Sequence, residues 1–277
     1  MLASAEKLAA QAAPLQPAVA TNVSEPVHSG RMIYEQHCAA CHGANGVGDG
    51  PAAVWLYPKP RRFNSGLFKI RSTTAGFLPT DDDLFQVVTR GMPGSSMPSF
   101  TYLSDVERRE VVQYVKHLTA RVDPSGQRVN FFGEARAKGQ VATSIRVPPE
   151  PPVTVRSLAQ GQEIYSKLNC FVCHGLTGEG TGPAAPMMKD MWGFSLPPRD
   201  FNTGAFRGGH TGRDLYLRVA TGLAGTPMPP YDDTLVSPEQ RWALVHYVQS
   251  LRRKDIEIND ILAPGDGVIH APRLSRQ

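Results

Sequence analysis

The sequence predicts an all-α protein with two tandem domains of the same fold. Its 277 residues contain two copies of one pattern, and matching features keep a nearly constant offset along the chain. Apolar residues recur at helical spacing in both copies, and no segment alternates as a half-buried strand would. A chain of this length is expected to hold about two domains. The predicted domains are residues 29–118 and 157–252.

The repeat is clearest at short motifs. Cys38 and Cys170 are 132 positions apart (170 − 38), and Met97-Pro98 precedes Met228-Pro229 by 131 (228 − 97). Self-similarity of this kind indicates duplicated structural units. The second copy carries about six extra residues near 187–196 and loses a similar number later, as copies of one fold do when their loops change.

Each copy is predicted to contain three helices in the same order. Four of the helices follow a Ser or Thr that has an acidic or amide residue three positions later, which is the signature of a capping box. These N-caps are Thr80, Ser104, Thr211 and Ser237. The predicted helices are 30–41, 81–90 and 105–118 in the first copy, and 161–173, 212–221 and 238–251 in the second. The Gly- and Pro-rich segments between them are predicted loops.

Three segments lie outside the predicted domains. Residues 1–28 are rich in Ala, Gln and Pro, lack an apolar stretch of signal-peptide type and are expected to be mobile. Residues 119–156 are predicted to form a linker, extended and stiff where prolines cluster, with Phe131-Phe132 packing on one of the domains. Residues 253–277 are expected to form an irregular arm. The chain contains no run of 18 apolar residues, so no membrane span is predicted.

The most informative motif is Cys-x-x-Cys-His, which occurs at 38–42 and again at 170–174. It is the attachment signature of c-type haem, in which two cysteines form thioether bonds and the histidine becomes the proximal iron ligand. All four cysteines of the chain belong to these motifs. The motifs predict two covalently bound haem c groups and a redox function. The predicted attachment and proximal-ligand residues are Cys38, Cys41, His42, Cys170, Cys173 and His174.

A single motif of this kind has two other interpretations. It could be a thioredoxin-like dithiol or part of a zinc site. A redox dithiol is expected near a βαβ pattern, and neither motif is flanked by an apolar strand. Zinc-binding histidines usually lie further along the chain from the cysteine pair. The duplication favours haem at both motifs.

At these motifs the chain resembles class I cytochrome c. That family has an N-terminal helix ending in Cys-x-x-Cys-His, a C-terminal helix that crosses it, and a loop that carries a distal Met. The resemblance implies that Gly30 and Gly161 meet the C-terminal helices near Tyr114 and Tyr247. It also implies haem attachment outside the cytoplasm, so we expect the protein in the periplasm or on the outer face of the cytoplasmic membrane.

The sixth iron ligand distinguishes an electron carrier from an enzyme, because Met/His ligation leaves no free position on the iron. In the second copy the candidate is Met228. In the first, Met92 and Met97 compete. Met97 aligns with Met228, whereas Met92 falls opposite Leu223, so we assign Met97. Buried methionines usually only fill the core, but these two precede prolines in polar loops.

Weaker candidates are Met187, Met188, Met191, His37, His117, His210, His246 and His270. We expect most of these histidines at the surface or behind a ligand.

Two arginines hold equivalent places in the Pro-Arg-x-Phe-Asn segments of the two copies. Arg61 and Arg199 could each form bidentate hydrogen bonds to haem propionates, because guanidinium groups pair well with carboxylates. A solvated surface arginine is the alternative interpretation.

The charge balance bears on the partners. The apoprotein has a formal net charge of +4, and two haem groups would add four propionates. The cations are scattered without interleaved aromatic residues, so no nucleic acid partner is predicted. We expect redox proteins as donor and acceptor, or a membrane or periplasmic oxidoreductase complex as partner, at a small interface for transient docking.

Three functional hypotheses follow. The leading one is a dihaem carrier that transfers single electrons between redox partners, with both haems His/Met ligated and no catalytic residue. The second is a dihaem enzyme, such as a peroxidase or a thiosulfate-oxidising cytochrome, which would need an open or unusually ligated iron. The third is a permanent electron-transfer subunit of a larger oxidoreductase.

Overall fold

The computed structural model describes residues 25–140 and 143–252. The predictions for residues 1–24, for the arm at 253–277 and for His270 therefore lie outside the described residues. The helices are α1 Glu25–His37, α2 Ala39–His42, α3 Asp81–Arg90, α4 Asp105–His117, α5 Phe131–Ala137, α6 Val155–Lys167, α7 Phe171–His174, α8 Gly212–Thr221 and α9 Pro238–Ser250. Short 3-10 helices lie at Ala53–Trp55, Phe63–Ser65 and Ala185–Met187. The predicted all-α class is confirmed, apart from one small sheet.

The prediction of one continuous helix running into each Cys-x-x-Cys-His motif is wrong. In the first domain the helix is interrupted at Cys38, between α1 and α2. In the second domain α6 ends at Lys167, and Asn169 adopts the left-handed backbone conformation with φ of 57° before α7 begins. Asn tolerates this conformation better than most residues. In both domains a separate short helix, α2 or α7, therefore carries the second cysteine and the histidine of the motif.

The four predicted capping boxes are confirmed. At the start of α3, the Thr80 hydroxyl accepts a hydrogen bond from the Asp83 amide at 3.1 Å, and the Asp83 carboxylate accepts one from the Thr80 amide at 2.9 Å. These reciprocal bonds satisfy amides that have no partner within the helix. The starts of α3, α4, α8 and α9 are thus fixed by local sequence.

The first and last helices of each domain cross at a glycine. A Cβ atom added to Gly30 would collide with the carbonyl oxygen of Glu110 in α4, and one added to Gly161 would collide with that of Ala243 in α9. Near the first crossing, the Tyr34 and Tyr114 rings lie 5.2 Å apart. The helix crossing implied by the family resemblance is therefore present in both domains.

A buried tyrosine connects each crossing to the motif. The Tyr34 hydroxyl donates a hydrogen bond to the carbonyl oxygen of Gly43 at 2.7 Å, and Tyr165 donates to Gly175 at 2.6 Å. Each acceptor is the residue directly after the motif histidine. These hydrogen bonds hold the end of each motif against its crossing helices.

The linker contains structure that the sequence analysis missed. Strands β1 Ala120–Val122 and β2 Arg128–Asn130 form an antiparallel hairpin in which Arg121 pairs with Val129. The prediction of no strands is wrong here, because three-residue strands are too short to show a periodic pattern. The following helix α5 places Phe132 against Phe68, with ring centroids 6.0 Å apart. The expected packing of this segment on a domain is thus confirmed.

The proline-rich part of the linker is attached to both domains. The Ile145 amide donates to the Ser72 carbonyl at 2.8 Å in the first domain. Val147 packs against the second-domain cluster that contains Trp242. The Glu150 carboxylate lies 3.5 Å from Nε2 of His246. The linker therefore restrains the two domains relative to one another.

The two domains also contact each other directly through arginines. Arg71 donates to the carbonyl oxygen of Thr221 at 2.6 Å, and Arg218 donates in return to the carbonyl oxygen of Arg71. Arg90 donates to the carbonyl oxygen of Gly208 at 2.5 Å. Hydrogen bonds from charged donors are stronger than neutral ones, so this boundary is a specific interface.

Candidate haem sites

The first motif lies at the wall of a large, mainly apolar cavity. Cys38, Cys41 and His42 line it, brought there by the break between α1 and α2. Apolar side chains of α3, α4 and two loops form much of the remaining wall, including Leu56, Leu84, Val88, Phe100, Val111, Val112 and Val115. A cavity of this character suits a large apolar ligand whose polar groups lie at one end.

The proximal histidine of this motif is held in a defined orientation. Nδ1 of His42 donates a hydrogen bond to the carbonyl oxygen of Arg61 at 3.1 Å. The Phe63 ring stacks on the imidazole with centroids 4.7 Å apart. Burial lowers the pKa of His42, and the hydrogen bond to Arg61 opposes this effect only in part. The ring therefore keeps its proton on Nδ1 and leaves Nε2 available as a metal ligand.

The second motif repeats this arrangement. Nδ1 of His174 donates to the carbonyl oxygen of Arg199 at 3.1 Å, and the Phe201 ring stacks on the imidazole at 4.3 Å. Burial lowers the pKa of His174 as well. The two domains thus present the same pre-oriented imidazole, although the insertion shifts the Arg-x-Phe segment along the chain.

The first cysteine of each motif has a property opposite to that of a redox dithiol. Burial raises the pKa of the Cys38 thiol to about 12 and that of Cys170 to about 11. Reactive Cys-x-x-Cys pairs have a lowered pKa, roughly 3.5–7.5. None of the four cysteines forms a disulfide. The burial of the first cysteine of each motif therefore argues against thioredoxin-like chemistry.

The two candidate distal loops have the same hydrogen bonds. The Met92 amide donates to the carbonyl oxygen of Met97 at 3.1 Å, and the Leu223 amide donates to that of Met228 at 3.2 Å. This pattern reproduces the alignment in which Met97 corresponds to Met228. Both Met92 and Met97 line the first cavity, so the choice of Met97 stays a prediction that rests on this equivalence.

The three methionines that were weaker ligand candidates do not share one environment. The sulfur of Met188 is 3.9 Å from Sγ of Cys173, in the place that Leu56 takes in the first domain (188 − 132). Met188 is therefore placed like a wall residue. Met187 and Met191 are exposed.

The histidines outside the motifs lie in different environments. His117 and His210 are exposed, as predicted for most of these residues. His246, by contrast, is fully buried beside Trp242 and the linker. His37 lines the first cavity, with Nδ1 3.2 Å from the Tyr102 hydroxyl. No pattern in the sequence predicts these positions, because burial against the linker depends on how the domains fold together.

Neither predicted clamp arginine is a solvated surface residue. Nη1 of Arg61 and Nε of Arg199 are buried and make no hydrogen bond. Burial lowers the pKa of Arg61 to about 10. Arg61 lines the first cavity together with Lys69 and Arg207, which sequence analysis missed. Buried cations with free donors match the carboxylates of a haem, so the residues present fit that group.

The comparisons with known proteins agree with this geometry. The family model for cytochrome c oxidase, cbb3-type, subunit III matches residues 25–115, and the model for cytochrome c matches residues 158–252. A chain of the Kuenenia stuttgartiensis reducing HAO-like protein complex Kustc0457/Kustc0458 has a similar structure, with a TM-score of 0.74 and 39% sequence identity. The similarity covers 84% of this chain and 98% of that chain.

A curated relative is the Cbb3-type cytochrome c oxidase subunit CcoP of Azospirillum sp. (strain B510). It is 27% identical over 171 residues, which are 58% of this chain and 45% of that protein. The matched part therefore spans less than half the length of this relative. None of the described helices is both long and apolar enough to cross a membrane.

Proposed function

We propose that this chain, which belongs to the dihaem c-type cytochromes, transfers single electrons between redox partner proteins through two His/Met-ligated irons. Its two cytochrome c domains each carry one covalent haem c. The proposed ligands are His42 with Met97 in the first domain, and His174 with Met228 in the second. The iron of each bound haem supplies the one-electron exchange.

The observation that carries this proposal is the equivalence of the two sites. Each proximal imidazole is fixed by a hydrogen bond of 3.1 Å to an arginine carbonyl, and each distal loop has the same internal hydrogen bond. An enzyme that needs one open iron and one electron-transfer iron would be expected to have two different distal loops. Filled axial positions at both irons favour electron transfer over substrate binding.

The chain's own residues prepare both sites for electron transfer. The Arg61 and Arg199 carbonyls prevent rotation of the imidazoles, which limits the rearrangement that accompanies a change of iron charge. The apolar wall of the first cavity excludes water and favours the less charged, reduced state. The guanidinium groups of Arg61 and Arg199 are proposed to bind haem propionates.

A permanent subunit of an oxidoreductase complex is the second candidate, because both relatives belong to complexes or multi-subunit enzymes. The Kuenenia chain is part of a reducing HAO-like protein complex, and the present chain covers 98% of it. CcoP is a subunit of a Cbb3-type cytochrome c oxidase. We propose a similar partner here, at a location in the periplasm or on the outer face of the membrane. Size-exclusion chromatography of the native complex separates a permanent partner from a transient one.

Carbon monoxide binding tests the ligation. The absorption spectrum of the dithionite-reduced protein is recorded before and after CO is added. We expect no shift, because a strong sixth ligand at each iron excludes CO. A shift that affects half or more of the haem would mean an accessible iron, and would favour the dihaem enzyme. The same protein denatured in the presence of CO is the control, since loss of the distal ligands should then give a full shift.

A further inference from the structure

A residue of the second domain lines the cavity of the first. Arg207 lines the cavity that contains Cys38 and His42, although it lies 89 residues beyond the end of the first domain (207 − 118). Its Nε atom is buried and has no hydrogen-bond partner. Burial lowers the pKa of Arg207, and the neighbouring charge of Arg199 lowers it further. A buried cation of this kind is costly unless an anion neutralises it.

Arg207 is one of four basic side chains that converge between the domains. Arg61 and Lys69 line the same cavity, and Arg199 lies beside Arg207. Burial lowers the pKa of Lys69 to about 7, and the charges of Arg61 and Arg207 contribute to this. The nearby carboxylates of Asp190 and Asp200 offset only part of the positive charge. The two propionates of a haem in the first cavity would add negative charge to this cluster.

The insertion of the second repeat covers one member of this cluster, Arg61. The guanidinium carbon of Arg61 lies 4.7 Å from the centroid of the Trp192 ring. The Met191 amide donates to the carbonyl oxygen of Gly225 at 3.2 Å, which joins the insertion to the loop before Met228. A cation stacked on an indole and shielded from water is held in place more firmly than a solvated one. The first repeat has no counterpart of Trp192, because the offset between the two copies changes from 132 at Met188 to 138 at Pro198.

We propose that the second domain completes the propionate-binding end of the first haem site, with Arg207 as a propionate-binding residue and Trp192 as the cover over Arg61. This inference rests on the proposed placement of the first haem in the cavity around His42. The guanidinium of Arg207 donates hydrogen bonds to a propionate carboxylate, alongside Arg61 and Lys69. Its positive charge also favours the reduced iron, which carries one positive charge fewer than the oxidised iron.

The Arg207→Gln variant tests this assignment in the full-length holoprotein. The midpoint potentials of the two haems are measured by spectroelectrochemistry. The first haem is identified by nuclear magnetic resonance, as the one whose methyl protons contact Val112. We expect its midpoint to fall, by about tenfold in the redox equilibrium constant, which is about 59 mV for one electron. Arg213→Gln is the matched control, since it removes the same charge from an exposed position in the same domain.

A first-haem midpoint that stays in place would overturn the proposal, including the case in which only the second haem responds. That case would mean that Arg207 serves its own domain alone. This measurement is independent of the distal ligands. CO binding by the wild-type protein would contradict the His/Met proposal. The midpoint shift of Arg207→Gln would still test the role of Arg207.

A second variant keeps the test decisive if Arg207→Gln does not incorporate haem. Arg207→Lys retains the charge, and the fold accepts lysine at the equivalent position 69 of the first domain (207 − 138). Lys lacks the bidentate fork of Arg, so the propionate should titrate at higher pH. The inflection in the pH dependence of the first-haem midpoint should move upward. An unchanged pH dependence would contradict the assignment.

Discussion

The carbonyl oxygen of Arg61 accepts a hydrogen bond from Nδ1 of His42 at 3.1 Å. The same residue presents its guanidinium group to the other domain, under Trp192 and beside Gly225. The backbone of Arg61 thus orients the proximal histidine of its own domain, while its side chain lies at the domain boundary. Arg199 does the same with His174 and places its guanidinium group against Gly94, in the loop before Met97.

This division of roles predicts the behaviour of Arg61→Gln. The backbone carbonyl remains, so the imidazole should keep its orientation and the visible spectrum should be unchanged. Loss of the cation should lower the first-haem midpoint by roughly 60 mV and raise the pH at which a propionate titrates. Spectroelectrochemical titrations across pH measure both effects. Arg62→Gln is the control, because Arg62 is exposed and its loss should change neither the midpoint nor the propionate titration. An unaltered midpoint in Arg61→Gln would argue against the clamp.

The two methionines of the first cavity should respond differently to substitution. Met97→Leu removes the proposed distal ligand, so one of the two reduced haems should bind CO. Met92→Leu should leave CO excluded, because Met92 corresponds to Leu223 in the second domain. Met97→His should restore a sixth ligand and lower the first midpoint by roughly 0.1–0.3 V, within the 0.8 V range that axial ligands span. CO binding by the Met92 variant alone would reverse the assignment.

The helix crossing of the second domain predicts a large effect of a single methyl group. Gly161→Ala should lower the free energy of unfolding by roughly 2–3 kcal/mol, because the backbone at Ala243 cannot move away without separating α6 from α9. Denaturant unfolding followed by circular dichroism measures the change. Gly133→Ala in α5 is the control: its nearest neighbour would be Cβ of Asn130 at 3.8 Å, and helix propensity should give a gain of up to about 1 kcal/mol. Equal effects of the two substitutions would be inconsistent with the close crossing.

Arg241 should support the distal loop of the second domain. It is fully buried and donates to the carbonyl oxygens of Tyr231 and Val236, at 2.7 and 2.9 Å. Both acceptors follow Met228 within eight residues of the chain. Arg241→Gln leaves these acceptors unpaired, so we expect a loss of about 2–4 kcal/mol in the free energy of unfolding. On warming, CO should bind the second iron at a lower temperature than in the wild type.

The first domain offers the matched control for that variant. Arg108 holds the equivalent position (241 − 133) but pairs with Asp105 on its own helix. Arg108→Gln should therefore cost less and leave CO binding unchanged. If both variants cost the same, the buried hydrogen bonds of Arg241 do not hold the loop.

Local signals explain why much of the fold could be predicted. The capping boxes at Thr80 and Ser237 satisfy helix ends with residues three positions apart, so neighbouring sequence decides them. The correspondence of Met97 and Met228 could be found in the sequence, because each loop is held by a hydrogen bond between its own residues. The break at Cys38 escaped prediction, since helical periodicity continues across it while the backbone turns.

The sequence by itself determined the two haem motifs, the repeated helices and the equivalence of the distal loops, because each depends on residues close together in the chain or on a duplicated pattern. Only the tertiary structure decided which groups meet at the domain boundary. Arg207 reaches the first cavity, Trp192 covers Arg61, and His246 is buried against the linker, all through contacts between distant parts of the chain. Such contacts follow from how two packed surfaces fit together, and no local spacing encodes that fit.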